Sequence, residues 1–352
     1  MRSFVALALL LLAGLAGCAQ VQDPQPTTPA PEPVPYEVPP VPKVDAAALL
    51  ADHSAFVKAN PERRANLPTH ESARGGLLER FASYGLETYR QNFTNGIDQA
   101  NIVGIKWGEV RDQWVVVGGH YDTTHWDCAL ASLGPCAGHA TSEGAYDDGS
   151  GTMMAVHLGK AFASVSTYYT VAFVGYDGEE RGIEGASAFV EEILSGESPY
   201  GSVYIVAALD LDMFGINWPG TNAPVNMITN DAALGDAIQA WRKGYGWPDS
   251  QFIQKDGLAL GSSDYAAFMG EDIPTVFFIS NFEELGTPSP APDAAYSPFG
   301  AYPFWHFQDT VESMTAMAGG PDNLLKGFQS ASDLTAFVVH HMATTVPAPV
   351  EA

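Results

Sequence analysis

Apolar positions recur along this chain in two alternating rhythms. From Asp45 to Asn60 and from Glu71 to Tyr84 they return at helical spacing, and Gly85 ends the second run. Thr88–Phe93 and Asn101–Trp107 alternate with a period of two, as strands of a sheet do. Trp114–Gly118 and Tyr169–Gly175 are unbroken apolar runs rich in β-branched and aromatic residues, which predicts strands buried on both faces. Between and after them, Gly149–Ser164 and Glu184–Leu194 read as helices. Tyr204–Leu211 reads as a strand, Ala232–Tyr245 as a helix, Ile273–Ile279 as a strand and Leu324–His341 as a closing helix. Strand and helix in alternation predict an α/β fold: a three-layer sandwich with a mixed, largely parallel sheet flanked by helices. In such folds, sites gather beyond the carboxyl ends of the strands.

The first 43 residues lie outside this pattern. Arg2 and the apolar Phe4–Leu12 form the charged and hydrophobic regions of a signal peptide, the latter too short to span a membrane. Leu15-Ala16-Gly17-Cys18 is similar to a bacterial lipobox, in which the cysteine becomes the lipidated first residue. The alternative is a signal peptide cut near Gly17, with Cys18 incidental. Prolines at 24, 26, 29, 31, 33, 35, 39, 40 and 42 then impose an extended, polyproline-like spacer of ~3.1 Å per residue. The expected organisation is residues 1–17 signal peptide, 18–43 lipidated cysteine and Pro-rich linker, 44–345 a single catalytic domain, and 346–352 a tail. Ala19 after the cysteine resembles lipoproteins sorted to the outer membrane. The expected location is therefore the bacterial cell envelope, with an outer-membrane anchor at Cys18 and the domain facing periplasm or surface. A formal charge of −25 over 352 residues argues against nucleic acid as a partner and favours cationic substrates. In an exported chain, Cys128 and Cys136 predict a disulfide closing a small loop; binding metal as thiolates is the alternative.

The residues that suggest chemistry stand at predicted strand ends. Trp114–Gly118 runs into Gly119-His120-Tyr121-Asp122, with His120 and Asp122 on one face of an extended chain. Asp122 is placed to hold the second ring nitrogen of a metal-binding His120, or to orient its neighbours. Gly144-Ala145-Tyr146-Asp147-Asp148-Gly149 precedes a helix, and Asp148 reads equally well as its N-cap. Tyr169–Gly175 leads into Asp177-Gly178-Glu179-Glu180. Tyr204–Leu211 carries Asp210 and ends at Asp212-Met213-Phe214-Gly215. An acid inside a strand is costly unless paired or metal-bound. Trp305-His306-Phe307-Gln308-Asp309 precedes the last helix.

From about Asn101 to Thr310, these motifs in this order resemble the co-catalytic zinc peptidases of peptidase family M28. That family includes leucine-type aminopeptidases, and glutaminyl cyclases share its zinc-exopeptidase fold. The resemblance implies two zinc ions per chain. It makes His120 and Asp212 ligands of one zinc, Glu180 and His306 ligands of the other, and Asp147 the bridge. Glu179 would be the general base, and Asp212 is preferred to Asp210. Ser263-Asp264 also resembles a family segment. Two departures stand at the last motif. Phe307 replaces a threonine while Asp309 follows His306 by three positions where the family has four, and Trp305 stands where the family often has a tyrosine that can polarise the scissile carbonyl. The expectation is that the missing residue displaces Asp309 on a surface turn and leaves the histidine in place. The implied function is an exopeptidase, an aminopeptidase acting on peptides through metal-activated water. A glutaminyl cyclase with a single zinc and a non-catalytic binding protein are the alternatives, and counting zinc separates all three. The remaining histidines, His53, His70, His125, His139, His157, His340 and His341, read as structural or surface groups, with His125 and His139 at the site mouth.

Overall fold

A computed structural model describes residues 36–124, 142–216, 225–246, 252–256, 263–280 and 309–346. All of these but Tyr36 belong to one unit, Glu37–Ala352. Two helices open it, α1 (Ala46–Ala59) and α2 (Pro68–Ser83). Asp45 caps α1 by accepting the Ala48 N–H, and Pro68 occupies the first turn of α2, where its missing N–H costs nothing. Three strands follow, β1 (Glu87–Thr94), β2 (Asp98–Lys106) and β3 (Val110–His120). Helix α3 (Gly149–Phe162), strand β4 (Tyr169–Tyr176), helix α4 (Glu184–Ser195) and strand β5 (Tyr204–Leu211) build the centre. Then come β6 (Val225–Thr229), α5 (Ala232–Tyr245), β7 (Phe252–Asp256), α6 (Tyr265–Met269), β8 (Thr275–Ser280), α7 (Val311–Met317) and α8 (Pro321–Thr344).

The eight strands form one sheet in the order β1-β2-β4-β3-β5-β8-β6-β7. Its middle, β4-β3-β5-β8, is parallel, while β1–β2, β2–β4 and β6–β8 pair antiparallel. The sheet is thus mixed and largely parallel at its centre, as the alternation of elements predicts. Strand alternation sorts the central side chains into two cores. Val115, Val117, Val171, Phe173, Leu209 and Leu211 pack with α1, α2, α3 and α8. Trp114, Val116, Ala172, Val174 and Tyr176 pack on the other face with Phe189 of α4 and Phe268 of α6. Every residue of β4 is buried, which is why its sequence reads as one apolar run.

Strand β3 begins four residues before the predicted start: Val110 already pairs with Tyr169 and Gln113 with Tyr204, across an irregularity between Val110 and Trp114. The short elements β6, β7, α6 and α7 have no counterpart in the sequence reading; at five to seven residues, tertiary pairing determines them. No helix of the described residues is long and apolar enough to cross a membrane.

Strands β3, β4 and β5 run parallel, so His120, the turn after Tyr176, and Asp212 all emerge at one end of the sheet. Helix α3 starts against the same end. A Cβ on Gly151 would lie 1.9 Å from the Leu211 carbonyl oxygen, and one on Gly119 would lie 2.5 Å from Asp148 Oδ2. Only glycine permits this approach, which brings Asp147 and Asp148 beside the end of β5.

Candidate metal centre

His120, the last residue of β3, is buried. Its Nε2 faces three carboxylates, at 3.1 Å from Asp147 Oδ1, 3.8 Å from Asp212 Oδ1 and 3.9 Å from Glu179 Oε2. Its Nδ1 faces Asp122, 3.2 Å from the carbonyl oxygen and 3.4 Å from Oδ1. A metal-binding histidine needs this arrangement, with one nitrogen toward the ligand acids and the other held by an oxygen. Asp122 has a second task, because its Oδ1 accepts the Glu179 N–H at 3.1 Å. It therefore joins the ends of β3 and β4.

Asp147 stands just before α3, and the peptide linking it to Asp148 is cis. Asp148 is the N-cap of α3: its Oδ1 accepts the Gly151 N–H at 2.8 Å and the Met213 N–H at 3.3 Å. The capping role thus also ties α3 to the turn that carries Asp212. Asp212 and Asp210 share Ser263, and each has a buried Oδ1 that accepts no hydrogen bond from a described residue; Asp210 is further tied to the Tyr265 N–H, whereas Asp212 faces His120. Asp210 Oδ2 accepts the Tyr265 N–H at 2.8 Å and lies 3.2 Å from Ser263 Oγ. Asp212 Oδ2 accepts from Ser263 Oγ at 2.9 Å.

Glu179 and Glu180 occupy a single 3-10 turn, Glu179–Arg181, entered through Gly178 at φ 74°. The residue before that glycine, Asp177, is fully buried. It accepts from Arg74 Nη2 at 2.7 Å and the Ala100 N–H at 2.8 Å, and lies 2.8 Å from His70 Nε2. This anchor was not read from the sequence, since His70 and Arg74 lie more than a hundred positions from Asp177.

Crowded buried acids retain protons. Burial pushes the Glu179 carboxyl up to about 8, with Asp212, Asp147 and Asp122 adding to the rise. Burial and Asp147 push Asp212 up to about 7, and the same causes hold Glu180 well above the ordinary range. Burial opposes protonation of His120, but Asp122 and Asp147 outweigh it and hold the imidazole well above its usual value. The fully buried Asp264 carboxyl accepts no hydrogen bond from a described residue and is also pushed up, by burial and by Asp210. So many desolvated carboxyls are costly without cations.

One nitrogen and two oxygens, from His120, Asp147 and Asp212, lie within 4.8 Å of one another. With the unbonded Asp212 Oδ1, they fit a divalent ion that takes nitrogen and oxygen ligands and leaves a position open, as catalytic zinc does. Glu180 adjoins Asp147 electrostatically but stands outside that tight group. His306, His125, His139, Cys18, Cys128 and Cys136 lie outside the described residues. His53 and His70 support the site from outside, on the Ala145 carbonyl and the Asp177 carboxylate, and His157 and His340 face Asp52 and the Pro39 carbonyl.

Asp309 corrects the sequence reading. It is not displaced on a surface turn but fully buried, and its carboxylate accepts the N–H groups of Tyr146 at 2.8 Å and Asp147 at 2.8 Å. Holding the main chain of a ligand residue is a task for a fixed, buried group and not for a surface turn. Asp309→Ala leaves two buried amides without their acceptor and should cost about 1–3 kcal/mol for each. Urea unfolding of the variant measures this, and an unchanged midpoint would remove Asp309 from the support of Asp147.

The family model for peptidase family M28 matches residues 101–325. Among curated proteins, aminopeptidase YwaD of Bacillus subtilis is 27% identical over 197 residues, 53% of this chain and 36% of the relative. A probable zinc metalloprotease of Pyrenophora tritici-repentis is 29% identical over 128 residues, 36% of this chain and 27% of the relative. The chain spans only about a quarter to a third of the length of these relatives. The solved structure of BSAP, a zinc aminopeptidase from Bacillus subtilis, superposes with a TM-score of 0.65 at 15% identity, covering 88% of this chain and 97% of that one. The glutaminyl cyclase of Bacteroides thetaiotaomicron bound to N-acetylhistamine gives 0.63 at 15% identity, covering 86% and 99%. At these identities the structural likeness establishes a shared fold.

Proposed function

Because this chain belongs to peptidase family M28, we propose that it is a zinc-dependent exopeptidase, an aminopeptidase that removes N-terminal residues from peptides. The observation that carries the reading is His120 Nε2 facing Asp147, Asp212 and Glu179 at the end of the parallel strands. In this reading His120 and Asp212 would hold one zinc and Glu180 and His306 a second, with Asp147 a ligand to both. Bound zinc supplies Lewis-acid polarisation of the peptide carbonyl and activation of water at neutral pH.

The chain's own residues perform the proton work. Glu179 takes a proton from the attacking water and delivers it to the departing amine. Asp122, bonded to the Glu179 N–H and facing His120 Nδ1, keeps base and ligand in register. The raised Glu179 carboxyl suits a base that must also return its proton, and a nearby dication shifts it back toward the ionised form.

The envelope anchor at Cys18 and the disulfide between Cys128 and Cys136 are part of the same proposal. They rest on the lipobox-like Leu15–Cys18 and on cysteine use in an exported chain. Near the end of the proposed linker, the Pro39 carbonyl oxygen lies 2.7 Å from His340 Nε2 of α8.

Elemental analysis and aminoacyl-chromophore substrates test the reading. The expected result is two zinc ions per chain, chelator-sensitive release of the chromophore, and one zinc with little activity in His306→Ala. One zinc in the native chain, with cyclisation of N-terminal glutamine and no hydrolysis, would favour the cyclase seen among the structural relatives. No zinc would favour a binding protein. Two zincs retained in His306→Ala would return the second site to another ligand.

A further inference from the structure

Arg63 is one of the largest fully buried side chains in the protein. It sits on the segment between α1 and α2, far in sequence from every ligand residue. Its described side-chain hydrogen bonds all end on main-chain carbonyls. Nε donates to Tyr121 O, Nη1 to Glu143 O and to Asn60 O at 3.3 Å, and Nη2 to Gly144 O at 2.9 Å. Its own N–H donates to Thr123 Oγ1 at 2.9 Å.

These partners fall into two groups. Tyr121 and Thr123 directly follow the ligand His120, and Glu143 and Gly144 directly precede the Asp147 loop. One planar cation thus links the chain leaving the first ligand to the chain arriving at the next. The strand ladder secures His120, but Asp147 stands on a loop outside the sheet. That loop is held by side chains: Arg63 on Glu143 O and Gly144 O, His53 Nε2 2.5 Å from Ala145 O, and Asp309 on the Tyr146 and Asp147 N–H groups. Of these three, only Arg63 also grips the end of β3.

We propose that Arg63 is a positioning residue of the metal centre, setting the separation between His120 and Asp147 through its fork of donors. The proposal rests on the reading of this site as a zinc centre. A guanidinium suits the task because its donors are rigidly splayed and its charge persists when buried. Its charge is also opposed to the acids around it: Asp309, Asp122, Asp148 and Asp147 offset the burial that lowers its affinity for a proton. Lysine would preserve that charge while losing the fork. Comparing lysine with a neutral residue therefore separates geometry from electrostatics.

The experiment uses the full-length protein loaded with cobalt(II), whose visible spectrum reports ligand geometry, and then challenged with a chelator. Arg63→Lys and Arg63→Met should both alter the spectrum and shorten metal retention by about 10- to 100-fold, the usual range for groups that support ligands. Arg64→Met, next in sequence but on an exposed side chain paired with Glu62, should behave as wild type. Variants that fold when metal is present and unfold on chelation would support the proposal. It is overturned if Arg63→Lys retains the wild-type spectrum and retention, since charge alone would then suffice. It is equally overturned if both variants match wild type, or if either stays unfolded at saturating metal, which makes Arg63 a core residue only. A wild-type protein that takes up no cobalt would end both this proposal and the zinc reading.

Discussion

Glu179→Gln should lower peptide hydrolysis by about 10²- to 10⁴-fold, the range attributable to a positioned general base, while the protein keeps its full zinc content. Glutamine matches the shape of the side chain but accepts no proton. It also preserves the fold, because the turn at Glu179–Arg181 is held by its backbone: the Glu179 N–H donates to Asp122, and Asp177 is anchored by Arg74 and the Ala100 amide. The Glu179 carboxyl is 3.9 Å from His120 Nε2, which places the base beside the ligand acids. Steady-state kinetics with elemental analysis of the same preparation check this. A fully zinc-loaded variant with near-normal kcat would exclude Glu179 from the proton transfers. Loss of zinc would make it a ligand instead.

Zinc should stabilise the protein much more at pH 8 than at pH 6.5, and the reason lies in the protons of the empty site. Folding raises Glu179 from 4.5 to about 8 and Asp212 and Asp309 from 3.8 to about 7. Between pH 6.5 and 8 the folded metal-free chain therefore holds protons that the unfolded chain has released. Stability then falls as pH rises. His120, held well above its usual value, acts in the same direction, since its stabilisation is lost as pH rises through the folded value. His53 is held down at about 4 by burial, so its opposite contribution is confined to pH below 6.5. Zinc displaces the protons of the acids and the imidazole it would touch, Asp212 and His120, and shifts neighbouring Glu179 toward its ionised form; each proton released adds about 1.4 kcal/mol of zinc-dependent stabilisation per pH unit. Urea unfolding with zinc and with chelator, at both pH values, measures the gap. A gap that does not widen with pH would show that the acids are already ionised without metal.

The centre of the fold is legible in the sequence, and the reason is local. Strands β3, β4 and β5 are buried on both faces, so burial is written into unbroken runs such as Tyr169–Tyr176. The ends of those runs are also the ends of strands in a parallel sheet, so the order of elements alone brings His120, Glu179 and Asp212 to one edge. The same logic fails at the periphery. Strand β6, five residues long, exists because it pairs with β8 and β7.

By itself the sequence determined the α/β order of elements, the strand ends that carry acids and a histidine, and the family to which those motifs belong. These are short-range signals, held within a few residues of one another. Only the tertiary structure decided how the ligand segments are fixed: that Asp210 is tied to the Tyr265 N–H while Asp212, already preferred from its motif, faces His120, that Asp309 is buried on the Asp147 amide from 162 positions away, and that Arg63 reaches Gly144 across 81. Such contacts leave no periodicity in the chain. An arginine between two helices and an aspartate before a third look alike whether they face solvent or ligand loops, and folding alone brings them to their carbonyl and amide partners.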